Sequence, residues 1–167
     1  MKKNLYLLLF LFITVSCHNA TDPLPYKYEY LYTDLPFEMP RIEIPVFTKN
    51  SVNLLDCGGI PDGVTLNTDA FAKAIQDLSG KGGGTLVVPK GVWFTGPIVF
   101  QSNINMNLEK GALILFSPDF NLYPLVETSF EGLNTRRCQS PISGRNLENI
   151  AITGEGSING SGEAWRP

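Results

Sequence analysis

The chain has 167 residues, 43% of them apolar and 17% charged, with a formal net charge of −3. This is the balance of an ordinary globular domain, which excludes a disordered chain, and so small a charge gives no electrostatic footprint for nucleic acid or an anionic lipid surface. The 16 glycines and 12 prolines punctuate short apolar runs, as in an all-β solenoid rather than a helical bundle.

Residues 1–17 read as a lipoprotein-type signal peptide. Lys2 and Lys3 precede an apolar core from Leu5 to Val15, and Cys17 falls at the cleavage position. The core is too short for a transmembrane helix, which needs about 20 apolar residues. Cys17 in that place predicts lipidation, and with it export and a membrane anchor in a periplasmic or cell-surface setting. Thr14 stands where such signals usually carry an aliphatic residue, so plain secretion with a chance cysteine is the alternative. Disulfides are allowed outside the cytoplasm. Cys57 and Cys138 belong to no metal-spaced set, however, and are expected as small buried residues rather than as a bridge.

Residues 18–50 are expected to form a tether and an extended segment. Residues 18–25 (HNATDPLP) are polar and proline-containing. In residues 26–33 (YKYEYLYT) the tyrosines alternate, so an extended chain would carry Tyr26, Tyr28, Tyr30 and Tyr32 on one face. That face would serve as a sugar-stacking platform or, more commonly, as the packing side of an edge strand. Pro36, Pro40 and Pro45 exclude the next stretch from a central strand, because proline cannot donate to a ladder.

Residues 51–167 are expected to form the β domain. Between Val64 and Gly80 the apolar period becomes helical: Phe71, Ala74, Ile75 and Leu78 share one stripe. Asn67 or Thr68 is placed to cap the helix and residues 81–84 (KGGG) to end it. No G-K-[ST] follows these glycines, and they come after the helix, so a phosphate loop is excluded. Short β runs follow at 85–89, 92–100, 103–108, 112–116 and 149–153.

Two internal repeats connect them. Residues 89–94 (PKGVWF) resemble 109–114 (EKGALI) at an offset of twenty, and residues 103–106 (NINM) resemble 149–152 (NIAI) at an offset of forty-six, about two solenoid coils. Leu86 and Val88 then align with Met106 and Leu108, keeping inward positions apolar from coil to coil. Asn103, Asn105, Asn107, Asn146 and Asn149 are expected near turns, where asparagine tolerates left-handed backbone and its amide extends a hydrogen-bonded ladder. Residues 117–144, with Pro118, Pro124 and Pro141, break the period and form a long excursion, a place where binding residues are often carried.

Residues 56–63 (DCGGIPDG), 67–75 (NTDAFAKAI), 82–91 (GGGTLVVPKG), 94–98 (FTGPI), 107–116 (NLEKGALILF), 149–160 (NIAITGEGSING) and Trp165 together resemble glycoside hydrolase family 28, the polygalacturonases and related pectin-degrading enzymes. The resemblance covers roughly residues 52–167. It implies a right-handed parallel β-helix of the pectin-lyase-like kind with an N-terminal capping helix, ending after the first coils. It also implies an inverting hydrolase of α-1,4-galacturonosyl linkages in pectin, polygalacturonate or rhamnogalacturonan. Cys57 stands where the family usually has phenylalanine, which agrees with a buried role.

The resemblance implies catalytic aspartates on later coils, in N-T-D, D-D, G-H-G and R-I-K motifs. An inverting glycosidase needs one carboxyl to protonate the leaving oxygen and another to activate water, roughly 6.5–9.5 Å apart. Asn67, Thr68 and Asp69 spell the first motif at a helix start, where such residues serve as caps. No Asp-Asp pair occurs, and Arg41 and Ile42 are followed by Glu43. The only histidine, His18, lies beside Cys17. No catalytic residue is therefore assigned in this chain, which is expected to be inactive by itself. No metal or cofactor is implied.

Arg136, Arg137 and Arg145 are candidates for a uronate carboxylate, with solvated surface arginines as the alternative. Glu127, Glu131 and Glu163 are weaker candidates for a carboxylate pair. A β-helical pectate lyase or epimerase-like protein and a non-catalytic carbohydrate-binding β-helix remain open beside the hydrolase reading. An uncovered last coil would leave an open strand edge and an apolar end, so poor stability or aggregation of the chain is expected.

Overall fold

The computed structural model describes residues 29–42 and 44–166. Cys17 and the signal-peptide residues, the tether residues up to 28, and Glu43 lie outside the described residues. The chain divides into a unit ending at Ile42 and a unit beginning at Glu43.

In the first unit the described part of the tyrosine alternation does not give a strand. Residues 29–32 form a 3₁₀ turn, which rotates Tyr30 and Tyr32 off a common face. Local polar pairing holds this geometry: Arg41 donates to both carboxylate oxygens of Glu29 at 2.6 Å, and its guanidinium lies 4.3 Å from the Tyr32 ring centroid. Tyr30 is left 68% exposed.

The second unit begins with β1 (Ser51–Asn53) and a 3₁₀ helix (Leu54–Cys57), followed by α1 (Thr68–Ser79). Next come β2 (Gly84–Val88), β3 (Gly91–Thr95), β4 (Ile98–Val99), β5 (Ile104–Leu108) and β6 (Ala112–Phe116). The expected run at 92–100 is thus two strands. Between them Pro97 has no amide hydrogen for a ladder, and Gly96 N donates instead to Thr68 Oγ1 at 2.8 Å, which turns the chain through a corner.

Beyond β6 lie β7 (Leu125–Phe130), β8 (Leu133–Cys138), β9 (Ile142–Ser143), β10 (Ala151–Gly154) and β11 (Ser157–Asn159). Three sheets are parallel, with orders β1-β2-β5-β10, β11-β6-β3 and β4-β9. Strands that recur in one order and pair in parallel, coil upon coil, make a parallel β-helix.

The register shows how the repeats work. Leu86 pairs with Met106 and Val88 with Leu108, the expected offset of twenty. In the neighbouring sheet Gly91 pairs with Ala112 and Trp93 with Ile114, an offset of twenty-one. The β5–β6 turn (109–111) is one residue longer than the β2–β3 turn (89–90), which shifts the register by one. The offset of forty-six is a single coil rather than two, because Met106 pairs directly with Ile152. That coil is long because the 117–144 excursion is inserted in it, and the excursion contains the antiparallel hairpin β7–β8.

Alternation along each strand sends Leu86, Val88, Trp93, Ile104, Met106, Leu108, Ile114 and Phe116 into one core, each no more than 2% exposed. Helix α1 adds Phe71, Ala74, Ile75 and Leu78 to the same cluster. Full burial of each large side chain stabilises by roughly 1.5–3 kcal/mol. The KGGG segment joins α1 to β2 as expected: Gly83 N donates to Leu78 O at 2.8 Å. At Gly83 φ is +101°, and a Cβ there would lie 2.3 Å from Asn103 O, so only glycine fits.

Asn67 occupies the N-cap position of α1, yet its side chain makes no capping bond. It is 2% exposed and works as a staple. Its Oδ1 accepts from Ile60 N at 2.7 Å, and its Nδ2 donates to Ile60 O, Thr65 O and Phe94 O. Asn103, Asn146 and Asn149 adopt positive φ as expected of turn residues. Asn105 and Asn107 do not; they lie in β5 and meet Thr153 of the next coil.

Candidate functional site

The hairpin β7–β8 shares a cavity with Val99 of β4 and Ser143 of β9, and its two faces carry different chemistry. Register pairs Val126 with Arg137 and Thr128 with Thr135 on one face, and Glu127 with Arg136 on the other. Neither strand shows an apolar alternation, because both are largely exposed. A polar hairpin of this kind is invisible to hydrophobic periodicity.

On the first face a cavity of about 540 Å³ is lined by Val126, Thr128 and Arg137 from the hairpin, by Gln139 and Ser140 after it, and by Arg145 following β9. Arg137 is steered by Phe130, whose ring centroid lies 4.6 Å from the guanidinium carbon. Gln139 is held at the rim: its backbone N donates to Pro124 O at 2.9 Å, and its Nε2 donates to Ser143 Oγ at 3.0 Å.

The opposite face borders a second cavity, of about 570 Å³, which shares Arg137, Cys138, Gln139 and Ser140 with the first and adds Leu125, Arg136, Pro141, Gly160 and Trp165. Trp165 packs edge-on against Phe120 and Tyr123, with centroid separations of 4.5 and 5.0 Å. Tyr123 is anchored by donating its hydroxyl to Ser117 O at 2.8 Å, and burial raises its phenol pKa. The indole Nε1 of Trp165 is buried without a hydrogen-bond partner.

The candidate residues therefore separate. Arg137 and Arg145 come together at one cavity, while Arg136 lies on the other face and pairs with Glu127 at 3.2 Å. Glu131 occupies the hairpin turn with φ +51°, and Glu163 sits in a 3₁₀ helix (Gly162–Trp165), so the three glutamates share no element. Thr68 of the N-T-D stretch is used structurally, accepting from Gly96 N. Among the described residues no cluster of three or more His, Cys, Asp or Glu has metal-binding geometry.

Both described cysteines are free. Cys57 packs partly buried against the core, and desolvation raises its thiol pKa. Cys138 is exposed, against the expectation of burial, because it ends a hairpin that projects from the coils. Sequence reasoning missed Gln139, Ser140 and Ser143 as cavity residues, and nothing in their spacing marks them.

The fold places this chain among the parallel β-helix proteins. Its sequence is 38% identical over 125 residues to a grapevine (Vitis vinifera) protein named "Probable polygalacturonase", covering 70% of this chain and 26% of that protein. A hyperthermoactive exopolygalacturonase from Thermotoga maritima superimposes with a TM-score of 0.67 at 41% identity, over 72% of this chain and 27% of its own. A family 28 exopolygalacturonase from Yersinia enterocolitica gives 0.62 at 33% identity, over 68% of this chain and 21% of its own. No family model matches the sequence. Over about 70% of the chain, its homologues thus include proteins named polygalacturonases and its structural neighbours include family 28 exopolygalacturonases. The chain spans about a quarter of the length of the relatives it matches.

Proposed function

We propose that this chain is the N-terminal part of an exported pectin-degrading glycoside hydrolase that cleaves α-1,4-galacturonosyl linkages with inversion. The observation that carries this reading is the joint agreement in sequence and coil structure with polygalacturonases over about 70% of the chain. In this reading α1 is the cap of the coil stack, consistent with its packing against β1, β2 and β5. Cys17 is the lipidated residue that tethers the enzyme to a bacterial membrane. In this reading the chain supplies scaffold and substrate contacts rather than the acid–base pair.

The test is reducing-end release from polygalacturonate by the protein expressed from its natural locus, with NMR identifying the anomer first formed. Release of the inverted anomer supports the reading. Absence of hydrolysis, or Ca²⁺-dependent formation of unsaturated products, overturns it. Radiolabelled palmitate incorporation that disappears in Cys17→Ser tests the anchor.

A further inference from the structure

The two arginines at the hairpin cavity have no carboxylate of their own. Arg136 spends its charge on Glu127 across the strand pair, whereas among the described residues neither Arg137 nor Arg145 has an acidic partner within ion-pair distance. Two like charges lining one cavity repel unless an anion lies between them. Resting on the polygalacturonase reading above, we propose that this cavity is a subsite for a hexuronate residue, with Arg137 and Arg145 holding the sugar carboxylate.

The shape and chemistry of the lining fit a sugar acid better than a bare anion. About 540 Å³ lies within the roughly 300–1,000 Å³ typical of small-molecule sites. Stacking of Arg137 on Phe130 fixes the guanidinium plane and leaves its in-plane N–H edges to pair with a planar carboxylate. Thr128, Ser140, Ser143 and Gln139 offer hydroxyl and amide groups for sugar hydroxyls. Val99, 54% exposed, and Val126 supply an apolar wall for the C–H face of a pyranose. A phosphate would use the arginines and ignore that wall.

Cys138 is exposed and lines both hairpin cavities, so its alkylation reports occupancy, and Arg145, which lines only the first cavity, and Arg136, which lines only the second, tell which one is filled. The experiment measures the Cys138 alkylation rate in the full chain by peptide mass spectrometry, with partly buried Cys57 as internal reference, in galacturonate, galactose or inorganic phosphate. Galacturonate is expected to slow Cys138 alkylation while galactose and phosphate at equal concentration do not. Arg137→Gln and Arg145→Gln should each raise the galacturonate concentration needed by at least about tenfold, the loss of a charge-assisted pair. Arg136→Gln, on the other face, should leave it unchanged.

Equal protection by galactose or phosphate, no protection at all, or indifference to both glutamine variants overturns the subsite. If a variant misfolds by circular dichroism, the comparison of the three ligands on the unaltered chain still decides. Polygalacturonate hydrolysis by the protein from its natural locus, measured in parallel, separates the two ideas. Hydrolysis without Cys138 protection sinks the subsite alone, and protection without hydrolysis sinks the hydrolase reading alone.

Discussion

Met106 and Ile152 are directly paired across the β5–β10 ladder, yet Met106 is fully buried and Ile152 is 47% exposed. The same contrast holds between Ile114 and Ile158 in the neighbouring sheet. Ile152 and Ile158 point into the coil interior, but among the described residues no further coil lies against them. Together with Phe100, Ile142, Leu147 and Ile150, Ile152 lines an open apolar depression of about 520 Å³. A solenoid coil buries its inner face only against its neighbours.

This asymmetry predicts unequal costs for similar truncations. Met106→Ala should destabilise the chain by about 2–5 kcal/mol, the range for buried large-to-small changes, while Ile152→Ala should cost less than about 1 kcal/mol. Urea unfolding of the two variants beside the parent provides the comparison. Equal losses would mean that Ile152 is covered in solution.

Asn67 should tolerate no replacement. Asn67→Ala leaves the part-buried Ile60 N and O without their side-chain partner, at about 1–3 kcal/mol for each group left unsatisfied, while Phe94 O keeps its bond from the backbone N of residue 67. Asn67→Asp should be worse, because it sets a carboxylate against the three carbonyls that now accept from Nδ2. The ordering of thermal midpoints, parent above Ala above Asp, checks the staple; an Asp variant as stable as the parent would refute it.

Asp62 organises the turn before α1, with Oδ1 accepting from Val64 N and Thr65 N and Oδ2 from the Thr65 hydroxyl. Hydrogen bonding to Thr65 and Val64 lowers its pKa below the ordinary aspartate value. A depressed folded-state pKa means that its stabilisation is fully present above the unfolded value of about 3.9 and is lost as pH falls through the lower folded value. Asp62→Ala should therefore lower the melting temperature at neutral pH, with the difference from the parent shrinking only below about pH 4. A gap that stays constant into strong acid would contradict the assignment.

Gly83→Ala should be severely destabilising, since the new Cβ meets the Asn103 backbone and φ is positive. Gly82→Ala provides the control: φ is also positive, but nothing lies within 4 Å of the added Cβ. Its cost should be confined to the left-handed strain of roughly 1–2 kcal/mol. Chemical denaturation of the pair separates backbone strain from steric collision.

The sequence by itself determined the coils. Alternation in TLVV, NINMNL and ALILF fixes which side chains face inward, the stripe Phe71, Ala74, Ile75 and Leu78 fixes the buried side of α1, and these short-range periods survive folding because each is satisfied by its own strand or helix. Only the tertiary structure decided the stacking. The one-residue difference between the 89–90 and 109–111 turns, and the insertion that makes forty-six residues a single coil, become visible only when strands pair. The same holds for the arginines: Arg136 and Arg137 are adjacent in sequence and face opposite ways, whereas Arg137 and Arg145 line one cavity although β9 lies between them in sequence. Local patterning specifies faces, while long-range pairing specifies which faces meet.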